Sequence, residues 1–245
     1  MLTLLRSGDS ETRRSRRLLP GILLILCAAI ALEARPAAAA DPELPTPAQD
    51  TREKLKSLGL AMHKYHERYK HFPPAVVIGP DGKTSHSWRV ALLPFLGEET
   101  QRLYAKYKRD EPWDSPTNKK VLDQMPDIFR SCYDDPKSTK SAFYVLVGPG
   151  TVFEGSNGIK LGEITDGTSL TLLIVEARRN VPWTKPEDIL YDPKKPIPTL
   201  GGFDDRSFGG AMADGSAHML SKTIDHTILR WLIERNDGHD LSQHR

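Results

Sequence analysis

The chain has 245 residues, 34 basic and 32 acidic, for a formal net charge of +2, with 38% apolar side chains and a mean hydropathy of −0.45. Six of the basic and three of the acidic residues fall in the first forty positions, so the remainder carries 28 basic against 29 acidic residues, a net charge of −1. That balance excludes the concentrated basic face of a nucleic-acid binder.

Residues 1–40 have the three parts of a secretory signal. Arg13, Arg14, Arg16 and Arg17 make a positive region, Leu18 to Leu32 an apolar run, and Ala37 to Ala40 a small-residue cleavage site. The run is short for a membrane span and is interrupted by Pro20 and Gly21. The expectation is cleavage and export to the periplasm, cell surface or medium, with no retained transmembrane helix; the alternative is a signal kept as an anchor. Cys27 follows Leu26, which is not the small residue that a lipoprotein signal prefers. Cleavage leaves Cys132 as the sole cysteine, so no internal disulfide is expected and the core must rest on apolar burial. About 205 residues then remain, the size of one domain.

Residues 41–51, with Pro42, Pro45 and Pro47, read as an extended leader. The domain spans 52–241, followed by a short tail, 242–245. Its first element is a helix from Arg52 to the Pro73-Pro74 pair. Leu55, Leu58, Met62, Tyr65 and Tyr69 recur every three or four residues, which places them on one apolar stripe. Ala75 to Ile78 is a short apolar run closed by Gly79-Pro80-Asp81-Gly82, a turn signal. Helical spacing returns over Ser85–Gly97, with Pro94 breaking it, and again over Glu98–Lys108, with Leu103, Tyr104 and Tyr107 inward. A short helix is expected at Asn118–Gln124. Strand formers then dominate: Ala142 to Val147, resumed at Thr151 to Phe153, and Ser169 to Ala177, a continuous apolar run that reads as the central strand. Residues 180–202 hold five prolines and read as a mostly irregular excursion. Gly210 to Leu220 reads as a hairpin turning at Asp214-Gly215. A closing helix over Ile224–Arg235 stops at Asn236-Asp237-Gly238. One leading helix, helical insertions and a block of antiparallel strands predict an α+β fold.

The segments LKSLGLAMHKYHERYKHFPP, SHSWRVALLPFLGEETQRLY and EPWDSPTNKKVLDQMPDIFRSC, followed by DGTSLTLLIVEA, VPWTKPEDILYDP, GGAMADGSAHML and LRWLIERNDG, resemble the bacterial prepilin-like family DUF1559. The resemblance implies a pilin-like α+β fold, a long amphipathic helix laid across an antiparallel sheet; it implies no chemistry. Three departures stand out. The prepilin leader motif is absent, replaced by the cleavable signal, which argues against assembly as a pilus subunit. Thr51 stands near the place where many relatives have a cysteine facing the Cys132 position. Ser207 and Phe208, not a histidine, precede Gly209-Gly210.

Candidate chemistry is sparse. Asp204, Asp205 and Asp214 lie in or near the hairpin, with Asp166 in another turn. Loop carboxylates suit calcium, which takes six to eight oxygens, but Asp-Gly is first a turn signal. His63 and His66 are three apart on the helix without a third ligand, so packing or surface roles are the commoner ones. Glu176 ends the most apolar strand; as a buried carboxylate it is either a general acid or, more commonly, a partner for Arg178, Arg179 or a backbone amide. Cys132 reads as a buried, inert thiol. Trp88, Trp113 and Trp183 are candidate ligand contacts that could stack on sugars, though tryptophans in loops more often anchor the loop to the core. No nucleophile elbow, phosphate loop or dinucleotide fingerprint occurs.

The expectation is therefore an exported, pseudopilin-like binding or structural module without a catalytic site, whose partners would be envelope proteins or glycans. The alternatives are a cell-envelope hydrolase or glycan-binding protein, and an anchored minor pseudopilin of a secretion machine.

Overall fold

A computed structural model describes residues 45–239. The expected signal 1–40, the first residues of the expected leader and the tail 242–245 lie outside the described residues.

The leading helix, α1, runs Pro47–Tyr69, so it begins inside the segment read as an extended leader. The reason is local. Thr46 Oγ1 accepts from the Gln49 N–H at 3.3 Å and Gln49 Oε1 accepts from the Thr46 N–H at 2.7 Å, a reciprocal cap. Pro47 then sits at the first helical position, where its missing N–H has no partner to lose. The helix stops before the prolines, at Lys70, which turns left-handed at φ 68° and donates its N–H to His66 O at 2.7 Å. Leu55, Leu58 and Met62 are fully buried and Tyr65 nearly so. Tyr69, expected on the same stripe, is 46% exposed. It lies in the last turn, leaning on Tyr65 with ring centroids 4.4 Å apart.

Past α1, β1 (Val76–Ile78) and β2 (Ser85–Ser87) form an antiparallel hairpin through the predicted Gly79–Gly82 turn. The helical spacing over Ser85–Gly97 yields only α2 (Trp88–Leu92), capped by Ser87, and a 3-10 turn around Pro94. Two further helices, α3 (Glu98–Lys106) and α4 (Pro116–Leu122), follow.

The main sheet takes β3 (Phe143–Tyr144), β5 (Leu172–Glu176), β7 (Ser207–Met212) and β8 (Ala217–Ser221) in the spatial order β3-β5-β7-β8, all antiparallel. Between β3 and β5 in sequence, β4 (Leu146–Val147) pairs in parallel with β6 (Ile189–Leu190), a short strand inside the segment read as irregular. Thr151 to Phe153, expected to resume a strand, forms turns instead. Its backbone is held from outside, with Arg235 Nη1 donating to Thr151 O at 2.8 Å.

As expected, β5 is interior, and both of its faces are covered. A register shift between Leu172 and Ile174 puts Leu173 and Ile174 together in the core beneath α1. Leu172 and Val175 join a second core with Leu229, Leu232 and Ile233 of α5 (His226–Ile233). Along β7 the faces alternate: Ala211 belongs to the α1 side, and Phe208 and Met212 to the α5 side. Close approach of α1 to β7 needs Gly209, where a Cβ would stand 2.5 Å from Leu55 Cδ1 and 2.6 Å from Thr51 Cγ2. The arrangement is α+β, an amphipathic helix on an antiparallel sheet.

Candidate ligand-binding cleft

Where β5 runs out, the chain leaves the sheet. Gly201 N donates to Glu176 O and Arg178 N to Gly201 O, both at 2.8 Å. Residues 178–180 then arch outward before Ser141 N takes Val181 O at 3.0 Å. The loop 132–140 faces this arch from the other side. Between them lies an open cleft of about 510 Å³ whose walls carry opposite charge: Asp134 and Asp135 on one side, Arg178 and Arg179 on the other. Lys140, Ser138 and Asn180 also line it. Gly202, at φ 109°, turns the chain so that Phe203 returns over Arg178, whose guanidinium carbon is 5.3 Å from the ring centroid. Tyr133, 47% exposed, stacks on Phe203 with centroids 6.4 Å apart and planes at 14°.

The floor is rigid. Ser141 is buried, and its hydroxyl donates to Phe143 O at 2.8 Å and accepts from Arg89 Nε at 3.0 Å. Tyr144 donates to Ser141 O at 2.8 Å. Beneath both, Arg89 is fully buried and paired with Asp188 at 2.8 Å. Asp188 also accepts from Trp88 Nε1 at 3.1 Å and the Val145 N–H at 3.0 Å. Burial pushes the Asp188 pKa up, yet each of these neighbours is a donor, which suits the ionised form.

The walls are less satisfied. Among the described residues, neither Arg178, Arg179 nor Lys140 has a carboxylate within ion-pairing distance. Arg179 reaches only Thr199 O, at 3.4 Å. Burial pushes the Asp134 pKa up, against the pull of Arg178.

The residues singled out from sequence lie elsewhere. Asp204 accepts from the N–H groups of Arg206 and Ser207 at 2.7 and 2.9 Å, and Asp214 from Ser216 N and Oγ at 2.8 and 2.6 Å. These are turn geometries. The two stand at opposite ends of β7, a six-residue strand and hence ~20 Å long, so they share no ion; Asp205 is exposed. Asp166 accepts from Asp237 N and Gly238 N. Trp88 and Trp183 are fully buried, out of a ligand's reach. Trp183 stacks on Phe129 at 5.5 Å and donates to Leu122 O, so it pins its loop. Trp113 is half-buried and does not line the cleft.

His66 Nε2 accepts from Leu161 N at 3.1 Å, which requires a neutral ring, and burial pushes its pKa down. His63 sets its ring edge-on to Phe72 at 5.7 Å rather than pointing to solvent. Glu176 accepts from Gly209 N at 2.9 Å and the Thr51 hydroxyl at 3.4 Å; it is held by a backbone amide, while Arg178 and Arg179 turn to the cleft. Cys132 is exposed, not buried, at the edge of the cleft loop. Sequence reasoning missed Tyr133, Phe203, Arg89 and Asp188. The only local signal was the pair Arg178-Arg179 directly after a buried strand.

Residues 50–157 match the family described as a protein of unknown function (DUF1559). The match takes in α1 from its second turn on and the cleft's Asp134 wall, and ends before β5. No curated protein and no solved structure matches the chain. No helix among the described residues is long and apolar enough to cross a membrane.

Proposed function

We propose that this chain is an exported, pseudopilin-like module that binds a component of the cell envelope in the cleft between residues 132–140 and 178–180, and that it performs no catalysis. The observation that carries the reading is the pairing of arginines held in no ion pair with a preformed floor. Arg178 and Arg179 face a cleft of about 510 Å³ with no carboxylate in contact, above a buried ion pair that holds Ser141 in place. Preorganised polar groups around an open concavity are what a recognition site needs. The buried carboxylates support the non-catalytic side of the reading. Glu176 and Asp188 are each closed in by donors from the fold itself, away from the cleft walls.

Two experiments test it. Amino-terminal sequencing of the protein recovered after expression in a bacterium should begin at Asp41; an intact residue 18–32 segment would instead support the anchored alternative. Retention of the full chain on isolated cell envelopes should fall when the cleft is filled by Ser138→Trp. Unchanged retention of a normally folded Ser138→Trp protein would remove the cleft from the proposal.

A further inference from the structure

The geometry points to an acidic saccharide, a glycan bearing uronic-acid carboxylates, as the ligand of the cleft. This rests on the reading of the cleft as a binding site and names its occupant.

Three features of the walls act together. First, among the described residues, Arg178 and Arg179 line the cleft without an ion-paired carboxylate; Arg179 donates to Thr199 O, while the Arg178 guanidinium lies over the Phe203 ring with its N–H groups free of any carboxylate. A planar guanidinium binds a carboxylate through two parallel N–H···O bonds, so the free fork calls for a ligand anion. Second, the opposite wall is acidic. Asp134 and Asp135 accept hydrogen bonds only, so this wall calls for ligand hydroxyl donors, which the side chains of an acidic peptide do not supply. A uronate carries both on one ring: a carboxylate for the arginine wall and hydroxyls for the aspartate wall. Ser138 and Asn180 add neutral donors and acceptors suited to hydroxyls. Third, an aromatic face stands at the rim. Phe203 lines the cleft, with Arg178 over its ring, and Tyr133, 47% exposed, stacks on it from outside the lining. The C–H face of a pyranose packs on such a ring, and a ring braced from behind has little torsional freedom left to lose on binding.

Depth fits as well. The cleft is open rather than enclosed, so it suits about one or two sugar units of a longer chain. The Arg89–Asp188 pair lies under the floor and touches no ligand; its role is to position Ser141.

The test is titration calorimetry of the full chain with tetragalacturonate, its methyl ester, a neutral chito-oligosaccharide and a tetraglutamate peptide. Tetragalacturonate should bind, and more weakly as salt is raised. The methyl ester and the chito-oligosaccharide should bind at least about tenfold more weakly, the loss expected when a charge-assisted pair is removed. Arg178→Ala should cost about the same, and Tyr133→Ala a few-fold, because one stacked ring is worth less than the charged pair. Both residues are exposed, so the fold should survive; Lys64→Ala, on the outer face of α1, serves as the control and should bind normally. Equal binding of the methyl ester would overturn the acidic ligand class. Tight binding of tetraglutamate with none of the uronate would overturn the saccharide. If Ser138→Trp abolishes envelope retention while tetragalacturonate fails to bind, the inference about the occupant fails and the binding reading stands.

Discussion

A guanidinium sealed from solvent must have its N–H groups engaged, and those of Arg89 are. Nε donates to Ser141 Oγ and Phe143 O, Nη1 to Ser87 Oγ, and Nη2 to Phe143 O and Asp188. Removing one partner leaves the other charged and buried. Asp188→Ala should therefore destabilise the fold by about 3–5 kcal/mol, while a paired apolar replacement, Arg89→Met with Asp188→Leu, should cost less than either single change. Urea unfolding reads both, and equal costs for single and double variants would contradict the pairing. Glu176 behaves differently because it lacks a cation. Burial pushes its pKa up, against the N–H of Gly209 and the hydroxyl of Thr51. A folded pKa above the unfolded one means that this group's contribution is full below its ordinary value of 4.5 and is lost as pH rises through the folded value. Glu176→Gln keeps an acceptor for Gly209 without the charge. Its stability relative to the parent should improve as pH rises above about 4.5 and level off once the folded pKa is passed, and a parallel pair of pH profiles would refute this. Neither network is visible in sequence. Arg89 and Asp188 are 99 positions apart, and Glu176 and Gly209 are 33 apart.

At the scale of elements, the α1–β7 contact is set by what is missing from a side chain. The position of Gly209 has Leu55 and Thr51 where a Cβ would go. Gly209→Val should therefore overpack the interface and destabilise by about 1–3 kcal/mol, and Leu55→Ala should recover part of that loss in the double variant. Thermal melts of the four proteins check it. The C-terminal end of α1 carries a second contact, from Leu161 N to His66 Nε2. Burial, then His63, His71 and Lys70, pull the His66 pKa below 6.5. A depressed value makes the contact's contribution complete above 6.5 and lost as pH falls toward the folded pKa. Amide exchange at Leu161, corrected for intrinsic pH dependence, should therefore become less protected on acidification. His66→Ala should be unprotected at both ends of the range. The apolar spacing of α1 told which face would be buried, but not that Tyr69 would overrun the sheet, because the stripe carries no record of where its cover ends.

For the whole molecule, the sheet is the shared wall of two cores. Leu173, Ile174 and Ala211 face α1, and Leu172, Val175 and Met212 face α5. A helix on either side of the same strands should make unfolding one event. Met62→Ala and Leu232→Ala, on opposite sides, should each cost about 2–5 kcal/mol. Both should shift a single transition seen alike by circular dichroism and tryptophan fluorescence. Separate transitions would mean that the cores are independent.

By itself the sequence determined the elements whose signals are local. The stripe Leu55–Leu58–Met62–Tyr65, the Asp214-Gly215 hairpin, the apolar run of β5 and the α+β order all follow from side-chain period and turn chemistry, which act over a few residues. Only the tertiary structure decided what meets across the chain: a second core under α5, a buried ion pair beneath Ser141, aspartates kept apart by β7, and a cleft built from Asp134, Arg178 and Phe203. Those contacts depend on strand register and on which small residues let backbones approach. Register is a property of pairs of segments, so no single stretch of sequence contains it.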